Sequence, residues 1–183
     1  MKNLIIAKKY AKALFNLALG EEQVEQYGQE LDALVNLMRE IPDLADAIRN
    51  PLYPEAVRKS LFCRVAENAG MTPILKSFVN LLIEKGRVQH VGEIAEYYHR
   101  LIDEHANIAR AQVKAAVGLD EPVLDEIGKT LEKMTGKRVV VEFHQDPELI
   151  GGVVARIGDL VLDGSVRRQL LNFKETMKKG GLG

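Results

Sequence analysis

The periodicity of apolar residues changes once along this chain, and that change fixes most of what it can fold into. From Leu4 to about Ala106 apolar side chains recur at helical spacing. Gly20, Pro42, Pro51, Pro54, Gly70, Pro73 and Gly86 punctuate the pattern, each at a place where a helix starts or stops. Roughly six helices are predicted there. After Asn107 the texture alternates, with β-branched stretches at 109–117 and 138–143 flanking a helical pattern. The predicted order is strand 109–117, helix 121–135, strand 138–143, a turn at Asp146-Pro147, strands near 152–157 and 160–162, and helix 165–178. The fold class is α+β: an N-terminal six-helix bundle over 1–106, then a small α/β domain over 107–183 with a short sheet and two or more helices. The tail Gly180–Gly183 is expected to fray.

Two helices carry more apolar surface than docking in a bundle requires. At about 100° per residue, Leu4, Ile6, Ala7, Tyr10, Ala11, Ala13, Leu14, Phe15, Leu17 and Ala18 cover about half the first helix or more, leaving Lys8, Lys9, Lys12 and Asn16 on a polar strip. In 74–85, Ile74, Leu75, Phe78, Val79, Leu81, Leu82 and Ile83 face Lys76, Ser77, Asn80 and Glu84 in the same way. Two readings stand. Both helices are central in their own bundle, or they frame a groove for an amphipathic helix of another protein. The later helices have narrow stripes, Val123-Ile127-Leu131-Met134 and Val166-Leu170-Phe173-Met177, enough to lie on one sheet.

Composition narrows the partners. The net charge is −1, with Lys and Arg dispersed, so no basic face offers itself to a phosphate backbone, and nucleic acid is not an expected partner. No apolar run approaches the roughly 18 residues of a membrane span, and the N-terminus interleaves apolar with basic residues, unlike a secretory signal. The single Cys63 has no intrachain cysteine to pair with, which fits a reducing compartment.

Chemistry is sparse. His90, His99 and His105 read as one long helix at spacings that share no i, i+4 face, and His144 is remote, so no zinc motif results. His105 falls on the Tyr98-Leu101-Ile102 side and reads as a buried-edge residue, while His90 and His99 read as surface residues. Gly136-Lys137 lacks the earlier glycine and following hydroxyl of a phosphate loop. Gly151, Gly152 and Gly158 lack a strand-turn-helix context and read as close-packing positions. Asp159, Asp163 and Ser165 are the one acid and hydroxyl cluster worth weighing for catalysis. The competing reading makes Ser165, or Asp163 with Gly164, the cap of the last helix, with Asp159 closing a hairpin. No cofactor or metal is expected.

Taken together, these landmarks resemble the delta subunit of F-type ATP synthases, which is similar to the mitochondrial oligomycin-sensitivity-conferring subunit. The resemblance rests on IAKKYAKALFNLA at Ile6–Ala18, on NLLIEKGRVQHVGEIAEYYHRLIDEHANIARAQVKAA at Asn80–Ala116, and on DPELIGGVVARIGDLVLDGSVRRQLLNF at Asp146–Phe173, with Asn50-Pro51 between them. Asn107 stands where relatives often have glycine; asparagine tolerates the left-handed conformation. The resemblance implies a non-catalytic peripheral-stalk component in one copy per hetero-oligomeric complex, on the cytoplasmic face of a bacterial membrane. It implies that 1–106 binds the N-terminal segment of an alpha subunit of the catalytic head, through Tyr10, Ala11, Leu14 and Phe15 together with Phe78, Leu82 and Ile83. It implies that 107–183 meets the b subunits, and that Gly151, Gly152, Gly158, Asp159, Asp163, Gly164 and Ser165 are family-motif positions. A small enzyme built on the Asp159-Asp163-Ser165 turn and a helical adaptor in another assembly are the alternatives.

Overall fold

A computed structural model describes residues 2–168 and Leu170. The fold is α+β. Helices α1 (Lys2–Gly20), α2 (Val24–Glu40), α3 (Pro42–Arg49), α4 (Glu55–Asn68) and α5 (Pro73–Glu84) are followed by a 3-10 turn, Val88–His90, and by α6 (Val91–His105). Then come β1 (Ile108–Ala115), α7 (Glu121–Thr135), β2 (Arg138–Gln145), β3 (Val153–Ile157) and β4 (Leu160–Asp163). The chain divides into two compact units after Ile102, inside α6.

The breaks have local causes. Thr72 caps α5, its Oγ1 accepting from Leu75 N–H at 3.4 Å, with Pro73 preset for the first turn. Gly136 ends α7 in the left-handed region, φ 68°, its N–H on Glu132 C=O. Asn107, at φ 54°, turns the chain from α6 into β1.

In the first unit one apolar core draws on α1 through α6, with Leu14, Tyr27, Leu31, Phe62, Leu75, Leu82, Ile94 and Tyr98 fully buried. On α1 the inward positions are Ala7, Ala11, Leu14 and Ala18, the i, i+4, i+7 rhythm of a single helical face. Tyr98 donates its hydroxyl to Val24 C=O at 3.0 Å and packs edge-on to Phe15 at 5.7 Å, so a large buried ring keeps its polar tip satisfied.

The second unit has a smaller core of Ala111, Val113, Leu131 and Ala155. Its sheet runs β2-β1-β3-β4. β1 and β2 are parallel, joined through α7, with Ala111 opposite Val141 and Val113 opposite Phe143. β3 is antiparallel to β1 and forms a hairpin with β4 across Gly158-Asp159, Gly158 taking φ 55°. The strands run 108–115 and 138–145 rather than 109–117 and 138–143, because the parallel ladder continues to Ala115 opposite Gln145. Of the predicted last helix, residues 166–168 and 170 are helical; Phe173, Met177 and the glycine tail lie outside the described residues.

Two histidine expectations are corrected. His90 sits in the 3-10 turn rather than on α6, and is buried, 5% exposed, because that turn tucks under the core beside Val88 and Val91. His105 is exposed, because α6 is in its last turn there and has left the core face set by Ile94, Tyr98 and Leu101. His99 is half-buried, its Nε2 2.9 Å from both carboxylate oxygens of Asp32 on α2.

Candidate interaction surfaces

The groove residues named from the sequence lie mostly inside. Ala11, Leu14, Leu82 and Ile83 are 0% exposed, and Phe15 and Phe78 are buried. Tyr10 alone among the seven is half-exposed, its ring edge-on to Phe78 at 6.2 Å. The centre of each wide apolar face is thus used by the chain's own core. What remains outside is the flank of the same faces. On α1, Leu17 is 54% exposed, Ala13 is exposed and Ile6 half-exposed; on α5, Leu81 is 42% exposed and Ile74 half-exposed. Ile6, Tyr10, Ala13 and Leu17 fall at i, i+4, i+7 and i+11, so they form one stripe along α1. On α5, Ile74 and Leu81 flank the buried Phe78 at the same spacing, and the Tyr10–Phe78 contact joins the two stripes. The sequence held this signal in the angular spread of the apolar positions: a face wider than the core needs is free at its edges, not at its middle.

Charges bound the stripes. Lys59 bridges Glu55 at 2.7 Å and Glu84 at 3.2 Å, and Glu84 also meets Lys85 at 2.9 Å. The hydrogen bond from Lys85, then that from Lys59, holds the Glu84 carboxyl below its ordinary range, while Glu84 raises Lys85. Lys8 lies 5.9 Å from the centre of the Tyr97 ring. The polar side of α5 turns toward α4, where Asn80 is half-buried and its Nδ2 donates to Cys63 Sγ at 3.7 Å.

In the second unit the glycine-rich positions make a backbone crossing. Gly164 N–H donates to Val153 C=O at 2.9 Å, and Val166 N–H to Gly151 C=O at 3.0 Å. Gly152, at φ 83°, lies against the Gly164 carbonyl, and a Cβ there would sit 2.9 Å from Ser165 Cα. No side chain fits. Ser165 is buried; its N–H donates to Asp163 Oδ1 at 3.0 Å and its Oγ accepts from Arg168 N–H at 3.3 Å. Hydrogen bonds from Ser165, first that of its side chain and then that of its N–H, hold the exposed Asp163 carboxyl below its ordinary range. Asp163 and Ser165 thus satisfy the first amides of the following helix. Asp159 is exposed in the hairpin turn. Between α7 and β3–β4 lies an open apolar cleft of about 400 Å³, lined among others by Val123, Ile127, Leu131, Val153 and Leu162. Among the described residues no three metal-ligating side chains converge, and no helix is long and apolar enough to cross a membrane.

Similarity to known proteins runs the length of the chain. Its residues 6–177 match the family described as ATP synthase delta (OSCP) subunit. The protein named ATP synthase subunit delta of Syntrophobacter fumaroxidans is 68% identical over 100% of both chains. Its namesake in Desulfosudis oleivorans is 45% identical over 98% of each. A chain of the Toxoplasma gondii mitochondrial ATP synthase hexamer, solved by cryo-EM, superposes with TM-score 0.65 at 17% identity, covering 93% of this chain and 96% of that one. The fold, the motif order and the full-length identity agree, and the chain belongs to the ATP synthase delta (OSCP) subunit family.

Proposed function

We propose that this chain is a non-catalytic stator component of the F-type ATP synthase, joining the catalytic head to the peripheral stalk. The six helices of residues 1–106 act as the head-binding bundle, and their occupant is the amphipathic N-terminal segment of an alpha subunit. Residues 107–183 meet the b subunits, the chain is present in one copy, and the complex holds it at the cytoplasmic face of a bacterial membrane. The observation that carries this reading is the pair of exposed apolar stripes on α1 and α5 beside the Tyr10–Phe78 contact. A helix laid along them would bury Leu17 and Leu81 at roughly 25 cal/mol per Å² of apolar surface. Such a contact releases slowly, which suits a joint under torque better than exposed ion pairs of about 0–1 kcal/mol each. The head is then kept from turning with the rotor, and rotation drives the catalytic sites. The hydrogen bonds of Asp163 and Ser165 at the helix start support a capping role for that turn over the alternative enzyme reading.

The test is calorimetric titration of the full chain with a synthetic peptide covering the N-terminal segment of the alpha subunit of the same organism. One-to-one binding that falls at least about ten-fold in Leu17→Glu and in Leu81→Glu supports the reading. Both positions are exposed, so both variants are expected to keep the fold, which circular dichroism checks. Unchanged affinity in both variants would place the head contact elsewhere.

A further inference from the structure

The parallel pairing of β1 with β2 leaves β2 at the outer edge of the sheet. Two bonds fix which of its backbone groups point outward. Arg138 N–H donates to Asn107 C=O at 3.1 Å, and Asp146 N–H donates to Ala115 C=O at 2.9 Å. Even-numbered residues of β2 therefore face β1. In a parallel ladder the alternate residues turn both N–H and C=O the other way, which assigns Val139, Val141, Phe143 and Gln145 to the open edge. Val139 N–H is already answered there: it donates to Glu132 Oε1 of α7 at 3.0 Å. Val141 and Phe143 have no such acceptor among the described residues.

Beside that edge, between α7 and β2, runs a cleft of about 580 Å³. Its floor is Val139, Val141 and Gly128, and its rim carries Glu121, Asp125 and Glu132 against one cation, Lys129. Among the described residues none of these three carboxylates sits in an ion pair.

We infer that the outer edge of β2 is a docking site for an extended basic protein segment, which adds a fifth strand and sends alternate Lys or Arg side chains to the acidic rim of α7. An added strand lies about 4.8 Å beyond β2, with successive side chains on opposite faces. Those on the α7 face pass over the Val139–Val141 floor and reach Glu121 and Asp125. Backbone pairing supplies affinity and the rim supplies the preference for positive charge. The site is separate from the α1–α5 stripes and does not depend on what occupies them.

The test titrates the full chain with a capped peptide of about seven residues alternating lysine and valine, and with its glutamate–valine counterpart, while amide hydrogen exchange is followed residue by residue. The lysine peptide is expected to bind, to slow exchange at Val141 and Phe143, and to bind at least about ten-fold more weakly to the Glu121→Lys/Asp125→Lys variant. Glu132 is left in place because it holds Val139. No binding of the lysine peptide, binding that leaves the Val141 and Phe143 amides exchanging as in the free chain, or equal binding of the glutamate peptide would overturn the assignment.

Discussion

One carboxylate oxygen of Glu30 accepts two hydrogen bonds from Thr72, from its N–H at 2.9 Å and its Oγ1 at 3.0 Å. Thr72 in turn caps α5 through the same hydroxyl, so α2 holds the start of α5 in place. Glu30→Ala removes both bonds and leaves Thr72 N–H unanswered. Urea unfolding is expected to show a loss of about 1–3 kcal/mol, with Glu30→Gln, which keeps an acceptor, losing less.

The division of the apolar faces between core and surface gives a sharper contrast. Leu14 is 0% exposed and Leu17, one turn on, is 54% exposed. Leu14→Ala is expected to cost about 2–5 kcal/mol in denaturant unfolding, and Leu17→Ala to stay within about 0.5 kcal/mol. Similar losses at both sites would contradict the packing of α1.

At the backbone crossing, Gly152→Ala meets the Gly164 carbonyl and Ser165 Cα while φ is held at 83°. Gly158, at φ 55°, has open space around it. Thermal unfolding should therefore drop far more for Gly152→Ala than for Gly158→Ala, whose cost is limited to about 1–2 kcal/mol for the left-handed backbone.

Alkaline titration reads the interior around α2. Burial first, then the hydrogen bond with Glu21, pushes the Tyr27 phenol up to about 12, and burial raises Tyr98 as well. A phenol whose pKa is higher in the folded chain stabilises it fully below the unfolded value near 10, and this contribution fades as pH rises toward 12. The tyrosinate absorbance that Tyr27→Phe removes should be the part that appears near pH 12, and the same variant should lessen the loss of stability between those pH values.

Much of this was legible in the amino-acid order. The glycine and proline stops place the helices of the first unit, and the switch of period at Asn107 marks the start of the sheet to within a residue. Ser165 and Asp163 read as a cap because short polar side chains next to a glycine satisfy free amides locally, which needs no tertiary information. The histidines failed for the opposite reason. His90 is buried by a 3-10 turn that interrupts an apparently continuous helix, and a three-residue change of pitch leaves almost no trace in periodicity. The exposure of the groove residues was not legible, because a helical wheel ranks positions by hydrophobicity, whereas exposure is decided by where neighbouring helices stop. Leu14 and Leu17 are the same residue type and differ only in what stands beside them.

The central place of β1 also sets an order of events during synthesis. Its partners on both sides lie downstream, β2 about thirty residues later and β3 later still. When β1 leaves the ribosome, neither ladder it will complete exists yet, whereas each helix of the first unit closes its own bonds as it emerges. The helical half can condense from local contacts, while the sheet waits for sequence-distant ones and forms more slowly. Mutations at Gly152 or Val153 are then expected to prolong the time the β3 side of β1 stays unpaired, a delay felt in the yield of assembled protein before it is felt at equilibrium.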